Sequence, residues 1–90
     1  MKRLHITVIG KVQGVFFRDN TKKKAIELGI KGWVKNTSDE NVEIAAEGNE
    51  KRLEEFLEWC KKGPEGAGVE FVQIENERYS GEFKKFEIRY

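Results

Sequence analysis

Between an alternating apolar strand and a helical stripe, the chain passes through Gly10-Lys11-Val12-Gln13-Gly14-Val15-Phe16-Phe17-Arg18. This segment constrains the fold more than any other. Before it, Leu4, Ile6 and Val8 alternate with His5, Thr7 and Ile9, the period-two pattern of a half-buried strand. After it, Phe17, Thr21, Ala25 and Leu28 recur at helical spacing. A strand must therefore turn directly into a helix, and the turn must deliver Arg18 to the helix start. Its glycines adopt positive φ without penalty, which lets backbone N–H groups turn inward. Amides at a helix N-terminus, together with one guanidinium, form a pocket for a tetrahedral anion. The spacing is neither a Gly-x-x-x-x-Gly-Lys-Ser/Thr loop nor a Gly-x-Gly-x-x-Gly dinucleotide fingerprint.

The remaining pattern predicts the order of elements. Leu28-Gly29-Ile30 is a helix stop in which Gly29 takes the left-handed C′ position and Ile30 packs back. Trp33 to Asn36 reads as a second strand and Val42 to Ala46 as the start of a third, joined as a hairpin by the polar turn Thr37-Ser38-Asp39-Glu40-Asn41. Asn49 caps a second helix whose stripe is Leu53, Phe56, Leu57 and Cys60, with Lys61 and Lys62 at its negative end and Gly63-Pro64 ending it. Val69 to Glu75 reads as a fourth strand. Its parity breaks, Val69 and Phe71 lying on one register and Val72 and Ile74 on the other, so a bulge is expected near Glu70-Phe71. Phe86, Ile88 and Tyr90 alternate as a short last strand. The order β-α-β-β-α-β plus a terminal strand, with one apolar stripe per helix, predicts an α+β ferredoxin-like two-layer sandwich over a single domain, residues 1–90.

Composition narrows the partners. Charged residues make up 37% of the chain, yet Lys+Arg 17 and Asp+Glu 16 nearly cancel. A nucleic-acid or membrane-surface protein usually carries a basic excess, so neither partner is expected. No apolar run approaches the ~20 residues of a membrane span, and the N-terminus lacks a signal-peptide stretch. With one cysteine there is no internal disulfide. The expectation is a cytoplasmic monomer. One histidine and one cysteine cannot make a zinc cluster, so no metal or organic cofactor is expected.

The nine residues Gly10 to Arg18 closely resemble the signature of the acylphosphatase family, and Gly32-Trp33-Val34-Lys35-Asn36 resembles that family's second signature at the expected separation. Val42 and Gly48, then Gly63-Pro64 with Ala67 and Val69, extend the resemblance over nearly the whole chain. It implies the ferredoxin-like fold with an antiparallel sheet of core strand order 4-1-3-2. It also implies hydrolysis of acyl phosphates to carboxylate and phosphate. Arg18 is then the phosphate-binding residue, helped by the amides of Gln13, Gly14, Val15, Phe16 and Phe17, and Asn36 positions the attacking water. Inorganic phosphate or sulfate should compete for the same loop. Two positions depart from the family pattern. Glu40 stands where the family places a hairpin glycine, and Asn41 tolerates the left-handed conformation better, so the turn is expected to shift by one residue. Glu65 replaces a second proline, away from the site.

The chemistry suits so sparse a site. The leaving group is a carboxylate, whose acid has a pKa near ~4, so it departs without a general acid. Positioning and charge stabilisation do most of the work of phosphoryl transfer. Taken singly, Arg18 would be a surface residue and Asn36 a turn former; both signatures together select the functional reading. His5 reads as strand surface, Cys60, Trp33 and Trp59 as packing, and Lys22-Lys23-Lys24 as a solvated helix face. Two rivals remain. One is a non-catalytic anion-binding module, since acylphosphatase-like domains also occur within larger maturation enzymes. The other is an RNA-binding sandwich, which needs exposed aromatics on the first and third strands; Val42 to Glu47 has none.

Overall fold

The alternating first segment forms β1 (Lys2–Lys11) and the stripe after the glycine loop forms α1 (Phe17–Glu27) in a computed structural model that describes residues 1–90. The chain continues through β2 (Lys31–Asn36), β3 (Val42–Gly48), α2 (Glu50–Lys62), β4 (Gly68–Glu77) and β5 (Phe86–Arg89). The strands form one sheet in the order β4-β1-β3-β2-β5. The four core strands are antiparallel in the expected order 4-1-3-2, and β5 pairs with β2 in parallel. Both helices lie on one face of the sheet, giving the two-layer ferredoxin-like sandwich. No helix is long and apolar enough to cross a membrane.

The core forms where the two periodicities meet. Ile6, Val8, Val34 and Ile44 point from the sheet; Phe17, Ala25 and Leu28 from α1, and Leu53, Phe56 and Cys60 from α2, all buried. Thr21 sits in the α1 stripe without cost, because its hydroxyl donates to Phe17 O at 2.7 Å. Phe56 meets Phe86 edge-on at 6.1 Å, and Trp59 tilts onto Phe17 at 5.6 Å. Cys60 is a core residue whose thiol is pushed well up by burial. The end of α1 follows the expected design: Gly29 N–H donates to Ile26 O and Ile30 N–H to Ala25 O, with Ile30 buried. At the start of α2, Asn49 Oδ1 accepts from Lys51 N–H at 2.9 Å.

The parity break in β4 is a bulge at Glu70. Ile9 faces Phe71 and Gly10 faces Val69, leaving Glu70 without a partner. Val69 and Val72 thereby both pack on the core, and Phe71 points outward, 56% exposed. Gly10 is forced at this crossing, because a Cβ there would lie 2.1 Å from Gly68 O. On the open sheet face, His5 Nε2 and Glu43 Oε2 are 2.7 Å apart. Glu47, nearly buried, accepts Ser80 N–H at 3.0 Å beside Arg3. That contact pins the segment leading into β5.

The β2–β3 turn corrects one expectation. The reversal does not move to Asn41; Glu40 itself takes the left-handed conformation, with φ 67°. Asn41 is committed to the hairpin. Its N–H donates to Thr37 Oγ1 at 3.1 Å and its carbonyl accepts Thr37 N–H at 2.9 Å. These bonds hold Asn41 in the hairpin ladder, and the left-handed reversal falls on the residue before it.

Candidate active site

β1 and β2 are each antiparallel to β3, and β5 is parallel to β2, so β1, β2 and β5 all run the same way. Their C-terminal ends converge on one edge of the sheet. Val8 faces Val42, and Val42 faces Asn36, which sets Asn36 two strand spacings, roughly 9–10 Å, from Val8. The loop leaving β1 rises past this point, anchored at its base by fully buried Val12.

Two residues of positive φ curl the loop: Gly14 at 75° and Phe16 at 56°. Glycine accepts that conformation freely, whereas phenylalanine is strained in it. Phe16 is the N-cap of α1 and offers no side-chain cap. Among the backbone hydrogen bonds, no N–H from Gln13 through Asp19 has an acceptor; the first donor in the helix is Asn20, to Phe16 O at 3.0 Å. A run of unpaired donors is therefore concentrated at the positive end of the α1 dipole.

Arg18 follows in the first turn, half-buried, and none of the protein's ion pairs includes it. Its guanidinium carbon lies 4.7 Å from the centre of the Tyr90 ring. Asn36 ends β2, half-buried; its backbone pairs with Val42 and its side-chain amide joins none of the side-chain hydrogen bonds. One cleft of about 270 Å³ gathers Gly14, Phe16, Phe17, Arg18 and Asn36, five of the residues expected from sequence. The other two do not line it. Val15 packs toward the core. Gln13 instead reaches across to the hairpin: its Nε2 donates to Thr37 O at 3.0 Å and to Asn41 O at 2.8 Å. The phosphate-type loop is thus tied to the turn that follows Asn36. Sequence reasoning assigned only the amide of Gln13, since no spacing rule connects position 13 with positions 37 and 41.

Besides buried Val12 at the base of the loop, three residues outside the expected site line the cleft wall: Asp19, Ile88 and Tyr90. The latter two arrive because β5 is parallel to β2, with Val34 facing Ile88 and Lys35 facing Arg89. Periodicity revealed β5 but not its place in the sheet. No cluster of three or more His, Cys, Asp or Glu side chains is arranged to hold a metal ion.

Residues 4–88 match the acylphosphatase family model. The chain belongs to the acylphosphatase family. It is 44% identical over 88 residues to an acylphosphatase of Pelotomaculum thermopropionicum, covering 98% of this chain and 96% of that one. Identity reaches 48% over 89 residues with an acylphosphatase of Pyrobaculum aerophilum, covering 98% and 94%. The crystal structure of acylphosphatase from Bacillus subtilis matches with TM-score 0.96 at 38% identity, with all of both chains covered. As a member of this family the chain is an acylphosphatase-type hydrolase, and its substrate is a small acyl phosphate.

Proposed function

We propose that the enzyme cleaves the carboxyl–phosphate anhydride by direct attack of water on phosphorus. Arg18 and the amides of Gln13, Gly14, Val15, Phe16 and Phe17 hold the phosphoryl group, and Asn36 orients the water. The observation that carries this reading is the run of unpaired amides from Gln13 through Asp19, of which Gly14, Phe16, Phe17 and Arg18 line the cleft that also receives the unpaired Arg18 guanidinium and the free Asn36 carboxamide.

The donors suit the charge that develops. Phosphoryl transfer passes through a loose transition state with charge spread over the equatorial oxygens. Fixed amides and a planar guanidinium meet those oxygens without reorganising. Asn36 offers an acceptor and a donor, enough to hold a water in line but not to deprotonate it. The proton therefore passes to a phosphate oxygen or to solvent. The leaving carboxylate needs no proton, so the absence of a histidine from the cleft wall is no obstacle. Because Arg18 and the loop amides meet the charge on the phosphoryl oxygens, the step as proposed calls on no metal ion.

The test is phosphate release from acetyl phosphate and benzoyl phosphate in the presence of EDTA, with a phosphate monoester as control. Both acyl phosphates should turn over and the monoester should be much slower, because an alkoxide leaving group needs an acid the site lacks. Equal turnover of the two classes, or complete loss of activity in EDTA, contradicts the proposal.

A further inference from the structure

The left-handed turn at the head of α1 is held from inside the helix. Phe16 takes φ 56° and ψ 28°, a conformation strained for a residue with a Cβ, and it brings no side-chain cap to the helix it starts. Its carbonyl is bonded twice by one residue. Phe16 O accepts the Asn20 backbone N–H at 3.0 Å, as in any helix, and also Asn20 Nδ2 at 2.9 Å. The second bond lies outside the helix ladder. Asparagine is a weak helix former, so propensity does not explain its place here. A trans peptide sets its N–H opposite its C=O, and the chain has no cis peptide. Fixing Phe16 O along the helix axis therefore turns the Phe17 N–H out of the helix end, toward the cleft that Phe16, Phe17 and Arg18 line. That N–H is one of the donors without a backbone acceptor.

We infer that Asn20 is a positioning residue for phosphate: its carboxamide locks the left-handed turn at Phe16 and so aims the Phe17 amide, and the helical turn that carries Arg18, at the anion. The inference rests on the anion-binding reading of the loop given above. Without the side-chain bond, the chain divides between the left-handed turn and less strained forms of Phe16 in which the next amide points elsewhere. Apparent affinity then falls by the fraction of molecules left in the competent form. Asn20 itself does not line the cleft, so its effect belongs to binding and not to the chemical step. The neighbouring residue shows which other side chain can take its place. Thr21 Oγ1 donates to Phe17 O at 2.7 Å, so a hydroxyl in this helix reaches the carbonyl four residues back.

Asn20→Thr and Asn20→Val test the bond with two side chains of nearly equal shape and helix propensity, of which only threonine donates. Inorganic phosphate is titrated against the backbone amide signals of residues 13–18, so no turnover is involved. Asn20→Thr should bind phosphate within about twofold of wild type, and Asn20→Val about fivefold more weakly, the equivalent of one ordinary hydrogen bond. KM for acetyl phosphate should rise in Asn20→Val by the same factor, with kcat within about twofold of wild type. Asn20→Ala also removes the donor but improves helix propensity, so it should show the weaker binding with little change in melting temperature. Adding Phe16→Gly to Asn20→Val should recover most of the loss, because glycine takes the left-handed turn without strain. Equal phosphate affinity in wild type and Asn20→Val overturns the role of Asn20 and leaves the hydrolytic reading standing. An equal loss in the threonine and valine variants, or a loss that Phe16→Gly does not relieve, overturns it too, since neither the donor nor the left-handed turn would then be its route. A wild-type protein whose amides from 13 to 18 ignore phosphate refutes the loop reading itself, and the role of Asn20 with it.

Discussion

Gln13→Ala should damage stability and catalysis together, because one amide group ties the anion loop to the hairpin beyond Asn36. The Nε2 group donates two hydrogen bonds, at 3.0 Å to Thr37 O and 2.8 Å to Asn41 O, both partly buried. A net contribution of about 0.5–1.5 kcal/mol per bond gives roughly 2 kcal/mol for the pair. In a chain of this size, 1 kcal/mol moves Tm by about 4–8 °C, so the variant should melt roughly 8–16 °C lower. The loop should also lose its registration with Asn36, and kcat/KM for acetyl phosphate should fall about tenfold or more. Gln13→Glu separates the bond from the bulk. Its carboxylate would face two carbonyl oxygens and donate nothing, whereas the protonated acid can donate to one. The folded state thus favours the acid form and raises that pKa, so the deficit is largest at neutral pH. It should shrink as pH falls through the raised value. Thermal melts of wild type and both variants between pH 4 and 8, with initial rates at each pH, make the assay. If Gln13→Ala melts within a degree or two of wild type and keeps its rate, the brace is incidental and the coupling argument fails.

Arg18→Lys keeps the charge but loses the planar fork that grips two oxygens, so both phosphate affinity and turnover should fall steeply; near-normal kinetics would show that fork geometry is unimportant. Asp19→Asn removes the carboxylate from the cleft wall and should tighten inorganic phosphate binding a few-fold, while costing about 0.3–1 kcal/mol of stability at the α1 N-terminus; isothermal titration and denaturant melts read the two effects, and weaker phosphate binding would contradict the first. The hydrogen bond from Arg3, then that from Ser80, holds the Glu82 carboxyl below its ordinary range. This contribution to stability is complete above the usual glutamate pKa and is lost as pH falls through the lowered folded value. A side-chain NMR titration of Glu82 with a midpoint at or above the ordinary glutamate value would rule out that linkage.

Much of the fold was legible because local signals agreed with one another. The stripe from Phe17 to Leu28, the Gly29 stop, the Asn49 cap and the parity break at Glu70 each had one physical reading, and each appears in the structure. The parallel seat of β5 was not legible, since alternation at Phe86 and Ile88 says that a strand exists and nothing about its neighbour. For the same reason Ile88 and Tyr90 escaped notice as cleft residues. The turn at Glu40 was misjudged because propensity ranks asparagine above glutamate at positive φ. Thr37, whose groups fix Asn41 in the ladder, overrode that preference. Local pattern marks Gln13 for its amide alone; its side chain acts over a sequence separation of 24 and 28 residues, which no local pattern encodes.

Asn36→Ala divides the proposed labour most directly. Arg18 and the loop amides should bind phosphate before reaction, whereas Asn36 should act on the attacking water and appear in the transition state. Circular dichroism and a thermal melt first establish that the variant folds, because the substitution lies at the end of a paired strand. The measurement is then kcat for acetyl phosphate beside the inhibition constant for inorganic phosphate. The account predicts a loss of ~10²-fold or more in kcat with phosphate inhibition within a few-fold of wild type. A folded variant that keeps its rate, or that loses phosphate affinity in parallel with rate, contradicts it.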